Sequence, residues 1–175
     1  MIARVATVDD VPAVQALIAQ SVRELSAGYY TPAQIEAALI EVFGVDTQLI
    51  TDGTYYVIDA AAGVVAAGGW SFRRTLFGGD QMKGAADPKL DAATEPARIR
   101  AFFVHPGWVR RGLARELYAQ CSRAALAAGF RAFELMATLP GEPLYSALGF
   151  SAIERTSIPL AGAVELSLVR MTRRI

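Results

Sequence analysis

The sequence has few of the residues from which disulfides, metal clusters and nucleic-acid interfaces are built. It contains one cysteine, Cys121, and one histidine, His105. An internal disulfide is therefore excluded, and no metal cluster is expected. Lys and Arg total 17, as do Asp and Glu, whereas a general nucleic-acid-binding protein carries a clear basic excess. Neither a metal nor a nucleic acid is predicted as a partner.

Long apolar runs are missing as well. No run approaches the roughly 18 residues of a membrane-spanning helix, and the N-terminus has no basic start followed by an apolar segment. We therefore predict a cytoplasmic protein with no membrane partner. Hydrophobic residues make up 53% of the 175 residues, which predicts a single domain over residues 1–175 with its own core.

The spacing of apolar residues predicts helices and strands in the order β-α-α-β-β-β-α-β-α-β-β. Thr7 and Thr31 each stand three residues before an Asp or a Gln, a pattern typical of capping boxes at helix starts. Two β-branched stretches predict an antiparallel hairpin, and Gly68-Gly69 within it predicts a bulge or a close backbone approach. Gln48–Thr51 is interpreted as a short extended piece.

The segment Phe102–Ala114 is the most informative part of the chain. It starts within a predicted strand, Ala97–Val104, breaks at His105-Pro106-Gly107 and enters a helix whose apolar stripe begins at Leu113. The next predicted strand is Phe130–Ala137, which gives a βαβ unit with neighbouring parallel strands. Free N–H groups and the helix dipole at such a helix start favour an anion such as phosphate.

Two common phosphate-binding motifs are absent from this loop. It has no Gly-Lys-Ser/Thr of a nucleoside triphosphate P-loop and no Gly-x-Gly-x-x-Gly of a dinucleotide-binding fold. Coenzyme A is the remaining pyrophosphate ligand that suits a strand–loop–helix of this kind.

The segment resembles the central motif of the GNAT superfamily of acetyl-CoA-dependent N-acetyltransferases, in which a strand ending Val-x-Pro precedes Gln/Arg-x-x-Gly-x-Gly/Ala at a helix start. Here Val104-His105-Pro106 precedes Val109-Arg110-Arg111-Gly112-Leu113-Ala114. Val109 replaces the usual Gln or Arg, so Arg110 and Arg111 are the candidates to supply charge. Further on, Tyr145 followed by Gly149-Phe150 resembles a second element of the family.

The resemblance implies an α/β (α+β) fold of the acyl-CoA N-acyltransferase type, with a mixed, mostly antiparallel central sheet, a splayed parallel pair and helices on both faces. Pantetheine would enter the splay and bond to a strand edge, while the loop would wrap the pyrophosphate. Family members often carry an Asn that touches the cofactor at the position of Thr138. The implied cofactor-binding residues are Phe102, Phe103, Val104, Val109, Arg110, Arg111, Gly112, Leu113, Ala114 and Thr138.

The implied reaction is direct attack of a neutral amine on the thioester of acetyl-CoA. Tyr145 is the predicted catalytic residue, protonating the thiolate, because a phenol of pKa about 10 suits a thiol of pKa about 8.5. A backbone N–H within Phe102–Val104 would stabilise the oxyanion. The general base stays open between Glu134, Glu142, His105 and water.

Three functions remain in view: acetylation of a primary amine of a small molecule, acetylation of a protein N-terminus or lysine, and a non-catalytic acetyl-CoA sensor. A long loop at 73–96 favours the first, because it could close one side of an open peptide groove. A homodimer is left open. Candidate residues around the acceptor are Tyr29, Tyr30, Trp70, Phe77 and Asp80.

Overall fold

The computed structural model describes residues 1–61, 63–84 and 86–175; Ala62, in the turn of the predicted hairpin, and Ala85, in the predicted 73–96 loop, lie outside them. The strands are β1 (Arg4–Val5), β2 (Tyr55–Ala60), β3 (Gly63–Ser71), β4 (Ala97–Val104), β5 (Ala132–Thr138), β6 (Ser151–Leu160) and β7 (Val164–Arg174). The helices are α1 (Val11–Leu25), α2 (Pro32–Glu41), α3 (Thr47–Thr51), α4 (Leu113–Ala127) and α5 (Glu142–Ala147).

The strands form one sheet in the order β1-β2-β3-β4-β5-β7-β6. In the described part of the chain, every pair of adjacent strands is antiparallel except β4 and β5. These two are parallel because α4 crosses between them. The predicted mixed sheet, its βαβ unit and the antiparallel hairpin of β2 and β3 are confirmed. No helix in the described ranges is long and apolar enough to span a membrane.

Apolar layers cover both faces of the sheet, as the resemblance implies. On one face α4 buries Leu117 and Cys121, and on the other α1 buries Val14 and Ile18. All four side chains are fully buried. Because each face is packed against a helix, the middle strands β4 and β5 are held from both sides.

Capping starts the first two helices where the sequence predicts it. The Thr31 hydroxyl accepts a hydrogen bond from the Gln34 backbone N–H at 3.2 Å, and the Gln34 side chain accepts one from the Thr31 N–H at 2.8 Å. Before α1, the Asp10 carboxylate accepts from the Thr7 N–H at 2.7 Å and so caps the 3-10 turn Val8–Asp10 that leads into the helix. Such reciprocal bonds satisfy N–H groups that a helix start leaves unpaired.

The expectation of an extended piece at Gln48–Thr51 is wrong, because this segment belongs to α3. The Asp46 side chain caps α3 by accepting from the Gln48 N–H at 3.0 Å. A helix of five residues is too short to show a helical period in the sequence, so the cap decides its conformation.

Candidate active site

A cleft opens in the sheet where β4 and β5 separate. The two strands pair at Ala97↔Phe133 and Arg98↔Glu134, near the start of each strand. Beyond this point β4 follows β3 as far as Val104, and β5 follows β7 to its last residue. The gap between them is a cavity of about 860 Å³. The parallel pair is therefore splayed, as the resemblance implies.

A β-bulge in β4 lies beside the cleft. Opposite Gly68, β4 carries one extra residue, because the register with β3 shifts there. Ala101 has a φ of 52°, which is rare for a residue with a side chain, and its carbonyl accepts from the Tyr55 hydroxyl at 3.1 Å. A Cβ on Gly68 would stand 2.3 Å from the ring of Phe102. The predicted bulge is present, with the extra residue on the partner strand, and the close backbone approach is at Gly69, where a Cβ would stand 2.5 Å from the Thr54 carbonyl oxygen.

The bulge reverses the alternation of side chains along β4. Ala97 and Ile99 belong to the apolar layer under α4, and beyond the bulge Phe102 and Val104 pack against that layer. Phe103 packs against the layer under α1. The three strand residues that the resemblance assigns to pantetheine, Phe102–Val104, all line the cleft.

The loop between β4 and α4 contains two residues in the left-handed region. After a 3-10 turn at Pro106–Trp108, Arg110 has a φ of 63° and Gly112 a φ of 82°. Glycine adopts this conformation without steric cost, whereas it is uncommon for arginine. The first N–H groups of α4 have no partner within the helix, and Leu113 and Ala114 line the cleft at this helix start.

Positive charge surrounds the helix start. Arg110 and Arg115 line the cleft, and both are exposed. Arg111 is the one residue of the implied cofactor set that does not line it, because its guanidinium stacks 4.5 Å from the centroid of the Trp108 ring. Val109 lines the cleft, so its lack of charge is offset by Arg110 on the same loop. Arg115 was not predicted, although a basic residue in the first turn of the helix was a usable signal.

Tyr145 enters the same cleft from α5. Its ring packs against Phe102 and Phe150, with centroid separations of 6.2 and 5.8 Å, and it is buried while still lining the cavity. Burial raises the pKa of the Tyr145 phenol. The expected match with a thiol therefore does not hold in the free protein. The phenol stays protonated and is suited to donate a hydrogen bond into the cleft.

Thr138 ends β5 and also lines the cleft. Its hydroxyl oxygen accepts from the Gly141 N–H at 3.2 Å, which fixes the turn that leads into α5. A hydroxyl has one hydrogen to donate as well as lone pairs to accept. Thr138 can therefore donate one hydrogen bond toward a ligand while it holds this turn.

The three side chains considered as general base do not line the cleft. Glu134 is buried and accepts from Arg170 at 2.6 Å. Glu142 accepts from Arg155 at 2.6 Å, and the ring of His105 accepts a backbone hydrogen bond within its own turn. Each has a structural partner outside the cavity, which leaves water as the candidate.

Comparisons with known proteins identify this arrangement. A GCN5-related N-acetyltransferase from Rhodopseudomonas palustris superposes with a TM-score of 0.71 at 18% identity, covering 99% of this chain and 94% of that one. The PaiA N-acetyltransferase from Thermoplasma acidophilum, in complex with coenzyme A, gives 0.67 at 14%, covering 99% and 98%. The ribosomal-protein-alanine N-acetyltransferase from Brucella melitensis gives 0.66 at 15%, covering 100% of both chains. These likenesses show the fold.

A family model gives the more specific match. Residues 75–159 match the model described as an acetyltransferase (GNAT) domain. This range includes β4, the loop between β4 and α4, α4 itself and α5. Residues 75–159 are thus identified as a GNAT acetyltransferase domain. It is accordingly an acyltransferase of the class that transfers groups other than aminoacyl groups. A search among curated proteins finds no match.

The cleft of this GNAT domain continues through the sheet to the layer under α1, and this part is called the acceptor half below. It is lined by Ser21, Val22, Leu25, Ser26, Tyr29, Val42, Phe43, Gly44, Leu76, Phe77, Gly78, Gly79, Met136 and Leu168. Of the acceptor residues considered from the sequence, Tyr29 and Phe77 line it and the other three do not. Tyr30 donates to a backbone carbonyl at 2.6 Å, Trp70 is buried in the core, and Asp80 accepts from a backbone N–H at 3.0 Å.

A buried charge cluster holds one wall of the acceptor half. Arg100, which is 2% exposed, donates to the carbonyls of Thr75 at 3.0 Å and Gly78 at 2.7 Å. It also donates to the Asp46 carboxylate at 2.8 Å, to which Lys83 donates as well. Burial lowers the pKa of the Arg100 guanidinium, and Asp46 opposes that shift. Asp46 thus pairs with two cations, Arg100 and Lys83.

Proposed function

We propose that this protein transfers the acetyl group of acetyl-CoA to a primary amine of a small molecule by direct attack. The observation that carries the proposal is the splay of β4 from β5. It brings a strand edge, a helix start flanked by arginines and the Tyr145 hydroxyl to one cavity. Coenzyme A has an amide-bearing arm, a pyrophosphate and a sulfur. The strand edge suits the arm, the helix start suits the pyrophosphate, and the tyrosine hydroxyl suits the sulfur.

The cofactor would bind along two of these features. An opened strand edge offers backbone N–H and C=O groups that pantetheine amides can satisfy, and Phe102–Val104 is that edge. The N-terminus of α4 favours the pyrophosphate through its N–H groups and dipole, with Arg110 and Arg115 adding charge. The coenzyme A complex of the Thermoplasma protein, which has the same fold, supports this assignment.

The chemical step needs one proton removed and one supplied. The amine nitrogen attacks the thioester carbon, the C–S bond breaks, the new N–C bond forms, and the nitrogen loses a proton to water. The Tyr145 hydroxyl donates a hydrogen bond to the departing thiolate, which takes up the proton that water received from the nitrogen, and the phenol stays protonated because its pKa is raised. A backbone N–H of Phe102–Val104 would stabilise the oxyanion.

A fixed wall on the acceptor half favours a small acceptor over a protein chain. Gly79 donates its N–H to the Val42 carbonyl at 2.9 Å, and Asp80 donates to Val45 at 3.0 Å. These bonds tie the predicted 73–96 loop to the segment after α2, so it narrows the space through which an extended peptide would pass. Acetylation of a protein N-terminus or lysine is the alternative, and the amine panel described next includes peptides to test it.

The proposal is tested with acetyl-CoA binding and an amine panel. Calorimetry measures acetyl-CoA affinity, and thiol release measures turnover with small amines, free lysine and peptides with free N-termini. Acetyl-CoA binding with turnover of small amines supports the proposal. Preferential turnover of peptides would show that the acceptor is a protein amine and not a small molecule. Tight binding without turnover of any amine indicates a sensor. Absence of acetyl-CoA binding would refute both enzyme and sensor.

A further inference from the structure

The acceptor half has apolar walls. Its large side chains come from α1, from the segment after α2, from the 76–79 segment and from β5, namely Leu25, Val42, Phe43, Leu76, Phe77 and Met136. Walls of this kind bury an apolar or aromatic body favourably. They give an ammonium group little compensation for the hydration it loses on entry.

Three backbone oxygens of the cleft wall are already used. The carbonyl of Val42 accepts from a backbone N–H at 2.9 Å, that of Gly78 from a guanidinium at 2.7 Å, and that of Ala101 from a tyrosine hydroxyl at 3.1 Å. An alkylammonium has three N–H donors and requires acceptors for them. The side-chain acceptors that the described lining of this half offers are hydroxyls, with no carboxylate among them.

The charge around the cleft is positive. Among its described lining residues, the charged side chains are Arg110 and Arg115. Behind the wall, Arg100 lies one hydrogen bond from Gly78, which lines the cavity, and Asp46 pairs with its charge. No carboxylate among the described lining residues would attract a cationic acceptor, whereas the two arginines attract the anionic cofactor.

We propose that the acceptor is an amine that is uncharged at neutral pH and carried on an apolar or aromatic body, with an arylamine as the simplest case. The inference rests on the proposed function and specifies its substrate class. An alkylamine with a pKa of about 10.4 is neutral in only about one molecule in 2,500 at pH 7. An arylamine is neutral there and needs no side-chain base before it attacks.

Aniline and cyclohexylamine form the matched pair for the test, because they share a six-membered ring and differ in charge at pH 7. Thiol release with saturating acetyl-CoA gives kcat/KM for each, and each value is divided by the uncatalysed rate with the same amine. We expect this ratio to be at least about tenfold higher for aniline. Calorimetric titration of both amines into the protein saturated with coenzyme A gives a second readout that needs no turnover.

A variant pair tests whether charge decides the preference. Phe77→Glu places a carboxylate in the acceptor half, and Phe77→Gln places a neutral side chain of the same shape there. We expect the Glu variant, but not the Gln variant, to shift the ratio toward cyclohexylamine by about tenfold. Acetyl-CoA affinity shows that each variant is folded, because the cofactor half is not altered.

The outcomes separate the two proposals. An aniline preference that the Glu variant reverses supports the inference. Equal or stronger use of cyclohexylamine with acetyl-CoA bound overturns it and leaves acetyl transfer standing. If no amine turns over, equal or tighter binding of cyclohexylammonium to the coenzyme A complex overturns it in the same way. Loss of acetyl-CoA binding in the wild type overturns both.

Discussion

Tyr145 combines a ring held by aromatic neighbours with a hydroxyl at the cleft. The ring contacts with Phe102 and Phe150 leave little room for rotation, so the hydroxyl has a defined position. Its raised pKa keeps it a donor over the neutral range. The residue is therefore suited to hydrogen-bond a developing thiolate and unsuited to act as a base.

Replacing Tyr145 with Phe removes that donor and retains the ring. We predict a fall in kcat of about 10²-fold, typical of the loss of one hydrogen-bond donor to charge that develops in the transition state, with acetyl-CoA affinity little changed. Steady-state thiol release and calorimetry measure the two quantities. Tyr118→Phe is the control, because the Tyr118 hydroxyl is buried without a partner in the described residues and does not line the cleft. Full activity of Tyr145→Phe would make Tyr145 a packing residue.

Gly112 stands at the start of α4, where added charge should matter more than added bulk. A Cβ there would meet no atom within 4 Å, although the φ of 82° strains most side chains. Asn tolerates this conformation better than most residues and matches Asp in shape. We predict that Gly112→Asp weakens acetyl-CoA binding by at least tenfold relative to Gly112→Asn, or about 1.4 kcal/mol. Equal affinities by calorimetry would show that the pyrophosphate does not bind at this loop.

At the scale of elements, the wall of the acceptor half depends on β4. Arg100 occupies the strand position before the bulge, and its guanidinium donates two hydrogen bonds to the 75–78 segment and a third to Asp46. Its planar fork can bridge several acceptors at once, which an ammonium does less well. The strand that offers its edge to the cofactor thus also positions the opposite half of the cleft.

Removing this side chain should loosen the wall and destabilise the fold. We predict that Arg100→Met lowers the free energy of unfolding by about 3–5 kcal/mol, because it breaks a buried ion pair and leaves carbonyls unpaired. Urea unfolding measures the stability. The hydrogen-exchange rate of the Gly79 amide, which donates to Val42, measures how readily the wall opens. Arg74→Met is the control, since Arg74 is exposed and pairs with Glu95 at the surface, which is worth at most about 1 kcal/mol. Similar losses for both variants would contradict a specific role for the cluster.

At the scale of the whole molecule, carboxylates held by arginines make stability depend on pH. Arg73 donates to both oxygens of Asp52, at 2.6 and 2.8 Å, and this lowers the pKa of Asp52. The ionised form is therefore favoured in the folded state. Its contribution to stability is full above the unfolded pKa of about 3.9 and is lost as the pH falls through the lower folded value.

The variant Asp52→Asn tests this sign. We predict that wild type is more stable than the variant at pH 6, and that the difference shrinks as the pH is lowered below about 3.9. Urea midpoints at several pH values measure it. Asp9→Asn, at an exposed carboxylate, should show little difference at any pH. A gap between wild type and Asp52→Asn that stays constant down to acid pH would contradict the assignment.

Local signals carried most of the fold and the cofactor side of the site. The capping box at Thr31, the strand Ala97–Val104 and the turn at Gly112 each depend on residues that are close in the chain, so the sequence displays them. The bounds of Ala97–Val104 were predicted without error, because a β-branched and aromatic run ends there at a proline turn. The short α3 was missed, because its conformation depends on one cap.

The acceptor side could not be predicted, because its contacts are distant in the chain. Arg100 and Asp46 are separated by 54 positions, and a period-2 pattern gives no sign of a bulge that turns Phe103 to the other face. The sequence offers Glu134 as a candidate base, whereas in the fold its carboxylate accepts a hydrogen bond from Arg170. Side chains of the same type differ in role according to which partner the fold brings to them.

By itself, the sequence determined the alternation of strands and helices, the helix start that suits a pyrophosphate and the tyrosine on the following short helix. These follow from hydrophobic period, capping and glycine conformation, which act over a few residues. The tertiary structure alone decided which strand carries the extra residue of the bulge, the buried cluster of Arg100, Asp46 and Lys83, and the apolar acceptor half. The physical reason is that desolvation and electrostatic energies depend on which groups are in contact in the folded chain. Contacts between residues that are distant in the sequence cannot be deduced from local patterns.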